Sequence, residues 1–199
     1  MSDKKLQKIL DYEPEALTLR DLVRLRSSNG SKPLYIIRDE VLTYADADVR
    51  SNEVANKPLE LGVQKGDVVA TLMYNSVFQA LVWFGCAKIG AVYAPLNVSL
   101  RKDDLAYSLN DTDAKIFIID EELAPAYNVC QENLNISPQL YVYGAVSAIT
   151  SGNAHPHDDL YSGNSALPDV QVNPNDPLTI TYTGGSTSMP KGVLATNLS

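Results

Sequence analysis

The sequence predicts an α/β fold of three layers, with helices over both faces of a mostly parallel sheet. Two observations carry this. Apolar runs of strand length at 68–73, 91–94 and 115–119 alternate with helical segments at 77–89 and 103–110, and joins this short imply parallel strands linked by crossovers. The segment 77–89 also carries Val77, Phe78, Leu81, Val82, Trp83, Phe84 and Cys86 on nearly every side, so it should be buried between layers, as core. At 199 residues, 45% hydrophobic and 20% charged, with 11 Gly and 11 Pro, the chain has the composition of a soluble globular domain, which excludes disorder, collagen and coiled coil.

Each element has a local reason. Residues 15–26 mix Leu17, Leu19, Leu22, Val23 and Leu25 with Arg and Asp, the pattern of a short amphipathic helix, and the run Ser27-Ser28-Asn29-Gly30-Ser31 stops it. Residues 33–37 and 41–43 read as a hairpin turned at Asp39-Glu40. Thr43 is placed to cap a helix over 44–61, which Pro58 should kink or end and Gly62 should stop. Asn75-Ser76 caps the buried helix and Gly90 ends it. Leu105 and Leu109 lie one turn apart in the next helix, and a fourth unit follows with a helix at 121–132 and a strand at 139–143.

Residues 151–176 are rich in Gly, Asn, Ser, Pro and Asp and read as a long surface connection. Within it, His155-Pro156-His157-Asp158-Asp159 sets four potential ligand side chains close together, but nothing else at metal-ligand spacing accompanies them. The segment reads as a solvated polar loop and no metal is assigned. Cys86 and Cys130 stand apart, in no metal-type pair, and read as reduced core residues. The division expected is a helical segment at 1–31, a βαβ core at 32–145, the connection at 146–176, and a strand with a phosphate-binding loop at 177–199.

The net charge of −8, from 16 Lys plus Arg against 24 Asp plus Glu, disfavours nucleic acid and anionic lipid surfaces as partners. No stretch approaches the ~18 apolar residues of a spanning helix, since Asn75, Gln79 and Lys88 interrupt the longest runs, and residues 1–10 lack the apolar core of a secretory signal. The expected location is cytoplasmic.

Chemistry concentrates at 178–193, where an alternating strand runs into Thr183-Gly184-Gly185-Ser186-Thr187-Ser188-Met189-Pro190-Lys191-Gly192. The two glycines free the backbone so that consecutive N–H groups can point at one anion. The hydroxyls of Thr183, Ser186, Thr187 and Ser188 add donors and Lys191 adds charge. The G-x-x-x-x-G-K-[ST] spacing is absent, and composition alone leaves a flexible connector open beside a phosphate seat.

The stretch from Tyr182 to Val193 resembles the signature loop of the adenylate-forming, AMP-binding superfamily, the acyl-CoA synthetases and their relatives. Leu42-Thr43-Tyr44, Leu61-Gly62-Val63 with Gly66-Asp67-Val68-Val69-Ala70, Asn75-Ser76, and Lys88-Ile89-Gly90-Ala91-Val92 with Pro95-Leu96-Asn97 fall in that family's order and spacing. The likeness covers about 34–120 and 176–199. It implies the N-terminal, truncated portion of an ATP-dependent acid-thiol ligase, in which a carboxylic acid attacks the α-phosphate of Mg²⁺-ATP to give an acyl-adenylate and coenzyme A then takes the acyl group. Thr183, Gly184, Gly185, Ser186, Thr187, Ser188 and Lys191 would hold the β- and γ-phosphates. No catalytic or Mg²⁺-binding residue is expected in this chain, and alone it should not complete the reaction. A missing C-terminal part, or self-association through a bare sheet edge, are the protein partners expected. Three positions depart from the family pattern: Gly184 stands for the usual Ser, Ser188 for the usual Gly, and Asn197 where many members have His. Residues 193–196 read as a strand, with Asn197 as the cap of a following helix. The competing reading is a non-catalytic stand-alone α/β module that binds a nucleotide or a protein.

Overall fold

In the computed structural model, residues 17–150, 152–185 and 188–198 are described. The expectations for residues 1–16, which include the start of the first helix, and for residues 151, 186, 187 and 199 lie outside them. Five helices, α1 Leu19–Arg26, α2 Tyr44–Glu60, α3 Val77–Ile89, α4 Lys102–Thr112 and α5 Ala124–Cys130, accompany nine strands among the described residues. Strands β1 Pro33–Ile37 and β2 Glu40–Thr43 form the antiparallel hairpin. The remaining strands, β3 Val68–Leu72, β4 Val92–Pro95, β5 Ile116–Asp120, β6 Gln139–Tyr143, β7 Ala154–Pro156, β8 Pro177–Gly185 and β9 Ser188–Thr196, build one sheet in the order β7-β6-β5-β3-β4-β8-β9. Every neighbouring pair is parallel except β8 and β9.

The period-2 alternation of a strand sorts its side chains into two cores. Val69, Tyr93, Ile116, Ile118 and Tyr141 face a cluster with Val23, Val54, Leu81 and Phe84 of α1, α2 and α3. Ala70, Leu72, Ala94, Phe117, Ile119, Leu140 and Val142 face Leu105, Leu109, Tyr127 and Cys130 of α4 and α5. This is the expected three-layer arrangement. The expected caps are also in place: the hydroxyls of Thr43 and Ser76 accept from the N–H groups of Asp46 and Gln79, and Gly90 adopts the left-handed conformation that ends α3.

Two expectations change, and the place of Pro58 is defined. The helix at 121–132 divides into short 3₁₀ turns around α5; Pro125, lacking an N–H, cannot bond back to the preceding turn and opens a new helix instead. Pro58 is carried inside α2, because only Leu59 and Glu60 follow it in the helix and its lost bond falls in the last turn. The connection at 151–176 is no mere solvated loop. It adds β7 to the sheet beside β6, buries Leu160, and packs the His157 ring against Phe78 and Tyr143, with ring centres 4.8 and 4.5 Å apart.

That connection is strapped to the helical layer through its backbone carbonyls, which need donors wherever they approach other elements. Asn52 Nδ2 donates to Ser165 O at 2.9 Å, and Asn56 Nδ2 to Asn164 O and Ala166 O at 2.8 and 2.9 Å. Arg20 donates to the carbonyls of Pro168, Val170 and Lys88. Beneath the strap, Lys88 is fully buried, its ammonium bonded to Asp48 Oδ1 at 2.6 Å, Asp48 O at 2.7 Å and Asn52 Oδ1 at 2.6 Å. Burial lowers the Lys88 pKa and the Asp48 carboxylate offsets this.

Two outcomes follow from the packing. Lys88→Met leaves the Asp48 carboxylate without its cation and should cost about 3 kcal/mol in denaturant unfolding; a loss under about 1 kcal/mol would show that the cluster does not tie α2 to α3. Both thiols are buried, which pushes the Cys86 thiol up to about 12 and Cys130 to about 11. A thiol reagent at pH 8 should therefore label neither cysteine in the folded chain and both after guanidinium unfolding.

Candidate functional site

The Gly/Ser/Thr segment sits where α/β sheets place their ligands. Strand β8 runs parallel to β4, so the turn after β8 emerges at the carboxyl ends of the parallel strands. The chain leaves β4 toward β5 on one side, and leaves β8 toward β9 on the other. In open α/β sheets ligands bind at this end of the strands.

The local form differs from the open nest expected from the glycines. Strands β8 and β9 make a long antiparallel hairpin, with Thr179 opposite Ala195, Ile180 opposite Leu194, Thr181 opposite Val193, Tyr182 opposite Gly192, Thr183 opposite Lys191 and Gly185 opposite Ser188. The backbones of Gly184, Gly185 and Ser188 are therefore part of strands, and the last strand begins at Ser188, five residues before the expected start at Val193. Alternating β propensity on both sides of the glycines closes the ladder where composition suggested a loop. Ser186 and Thr187, at the tip, lie outside the described residues.

Thr183 and Lys191 are both exposed and share a face of the hairpin as cross-strand partners. The Thr183 hydroxyl donates to Lys191 O at 3.3 Å, a clasp across the hairpin near its tip. Among the described residues no carboxylate forms an ion pair with the Lys191 ammonium, so its charge is open to a ligand. Tyr182 and Gly192 lie on the opposite face, where the Tyr182 hydroxyl donates to Asp111 Oδ2 of α4 at 2.8 Å. Burial, then the Asp111 carboxylate, raise the Tyr182 pKa and keep the phenol protonated. The sequence offers no signal for this partner, which is 71 residues away.

Asn197 reaches the N-terminus of a helix far earlier in the chain. Its side-chain oxygen accepts from the N–H of Leu19 at 2.8 Å, at the first residue of α1, where Thr18 and Asp21 already form a capping box. The end of the hairpin is thereby pinned to the first described helix. Among the described residues no three His, Cys, Asp or Glu converge as metal ligands, the His155–Asp159 run included.

A family model described as "AMP-binding enzyme" matches residues 25–199. Among curated proteins, the long-chain-fatty-acid–CoA ligase FadD13 of Mycobacterium tuberculosis is 34% identical over 159 residues, covering 80% of this chain and 30% of that protein. The crotonobetaine/carnitine–CoA ligase of Salmonella arizonae is 30% identical, covering 78% of this chain and 30% of its own length. The chain thus spans about 30% of these relatives. Among solved structures, the anthranilate CoA ligase AuaEII in complex with anthranoyl-AMP shares the fold, with a TM-score of 0.83 over 93% of this chain and 36% of that one at 24% identity. The N-terminal domain of FACL13 from Mycobacterium tuberculosis aligns with a TM-score of 0.73 at 29% identity, over 91% of this chain and 44% of that one.

The cap at Leu19 gives this region a measurable effect. Asn197→Ala should cost about 1 kcal/mol of stability, and an unchanged unfolding midpoint would show that the hairpin end does not hold α1.

Proposed function

The chain belongs to the AMP-binding enzyme family, and on that premise we propose that it is the part of an acyl-CoA synthetase that seats the phosphates of ATP. The observation that carries this reading is the place of Lys191, a cation without an ion-pair partner among the described residues, on a hairpin at the carboxyl end of a parallel sheet in a chain of net charge −8.

In the reaction proposed, a carboxylate oxygen attacks the α-phosphorus of ATP and the bond to the β-phosphate breaks, giving an acyl-adenylate and pyrophosphate. The coenzyme A thiol then attacks the acyl carbon, and AMP departs. The role of this chain lies with the β- and γ-phosphates: Lys191 neutralises charge that grows on the leaving pyrophosphate, and Thr183, Ser186, Thr187 and Ser188 supply hydroxyl donors, with Gly184 and Gly185 permitting close approach of the backbone. That work is positioning and electrostatic stabilisation, without a covalent step. Mg²⁺ accompanies ATP in this reading, and among the described residues no cluster of acids is placed to hold it. The acyl group recognised, and its transfer, belong to the remaining length seen in the relatives, so the 199 residues alone should not turn over. No described helix is long and apolar enough to cross a membrane, and the proposed setting is the cytoplasm.

Calorimetric titration of the chain with pyrophosphate tests the phosphate seat. Lys191→Ala should weaken binding about fivefold, the scale of ~1 kcal/mol for a solvent-exposed charge pair. Equal affinity in the two proteins would remove Lys191 from the site, and pyrophosphate release from ATP and a carboxylate by the 199 residues would overturn their proposed dependence on the rest.

A further inference from the structure

We propose that Tyr182 and Asp111 form a positioning pair that sets the angle of the hairpin, and with it the face on which Lys191 meets phosphate; this rests on the phosphate reading above. The hairpin is well laddered within itself, but its register with the parallel sheet is a single pair, Tyr93 with Thr179. A ribbon joined near its base can roll about its long axis, and such a roll would redirect Lys191 at the strand ends. Ile180 and Tyr182 pack against the core on the α4 side, and a directional attachment farther along the ribbon fixes the angle of roll.

Tyr182 supplies it. Its ring lies over Gly192, where an added Cβ would sit 3.5 Å from the ring atoms Cε1 and Cζ and 3.0 Å from Ile180 Cγ2. A Cβ there would crowd Ile180 and only touch the ring, so Tyr182 lies in contact distance over the bare backbone of its cross-strand partner, an arrangement in which an aromatic side chain shields a glycine. From that position the phenol reaches Asp111 in the last turn of α4 at 2.8 Å. Because α4 packs through Leu105 and Leu109 into the core, it is a fixed bracket. The bond also keeps the Asp111 carboxylate on the face opposite Lys191, where it does not compete with a phosphate. Lys191 is the residue directly before Gly192, so fixing one fixes the side on which the other projects.

The test uses the intact 199-residue chain, with Tyr182→Phe, Asp111→Ala and Asp111→Asn, read by amide hydrogen exchange without ligand and by pyrophosphate titration. Tyr182→Phe and Asp111→Ala should each speed exchange of the Lys191 and Gly192 amides, and each should weaken pyrophosphate binding, by about fivefold, the scale of one hydrogen bond to a charged group near solvent. Asp111→Asn retains an oxygen that can accept from the phenol and should restore most of both. A purely structural bond would lower the melting temperature and leave affinity in place, so binding that both variants keep overturns the positioning role alone. Exchange that neither variant alters overturns the anchor. A wild-type chain that takes no pyrophosphate overturns the phosphate reading and this role with it.

Discussion

The buried ammonium of Lys88 is the constraint around which the helical layer is arranged. A cation with no solvent contact is tolerated only where fixed oxygens replace its hydration, and here all of them come from one turn of α2, through Asp48 and Asn52. That fixes α2 against α3 in both distance and rotation. Gly85 lets the two helices approach closely, since a Cβ there would sit 3.3 Å from the backbone of Val54 and Ala55. Asn52 completes the arrangement by using its amide oxygen for the ammonium and its amide nitrogen for Ser165 O. The same side chain therefore satisfies the buried charge and holds the strap.

Much of this fold was legible in the sequence because its signals are local. Thr43, Ser76 and Gly90 announced helix ends through their own chemistry, and the apolar runs at 68–73 and 115–119 announced buried strands within a residue or two of their observed bounds. What stayed hidden depends on distant partners. Lys88 looked like an interruption in an apolar helix, and only its neighbours on α2 turn it into a tie. The connection at 151–176 has the composition of a loop, and its order comes from Asn52, Asn56 and Arg20, more than a hundred residues earlier.

The site shows the same division. The residue types at 183–191 pointed to an anion-binding segment, and resemblance sharpened that to ATP phosphates, but the hairpin register was not readable. Glycine and hydroxyl residues suit an open turn as well as a strand, and the choice is made by pairing across the ladder, Thr183 with Lys191 and Tyr182 with Gly192. In that ladder Thr183 and Lys191 present their side chains on one face of the hairpin.

The contact between Asn197 and Leu19 sets an order of events during synthesis. Helix α1 has eight residues, too few to persist in water without tertiary support. Part of its support comes from residues 44–89, through the apolar partners of Val23 on α2 and α3 and through Lys88 O, and the rest from Pro168, Val170 and Asn197, which are translated long after it. Helix α1 therefore gains its full set of contacts only after Asn197 has been made, well after its own synthesis.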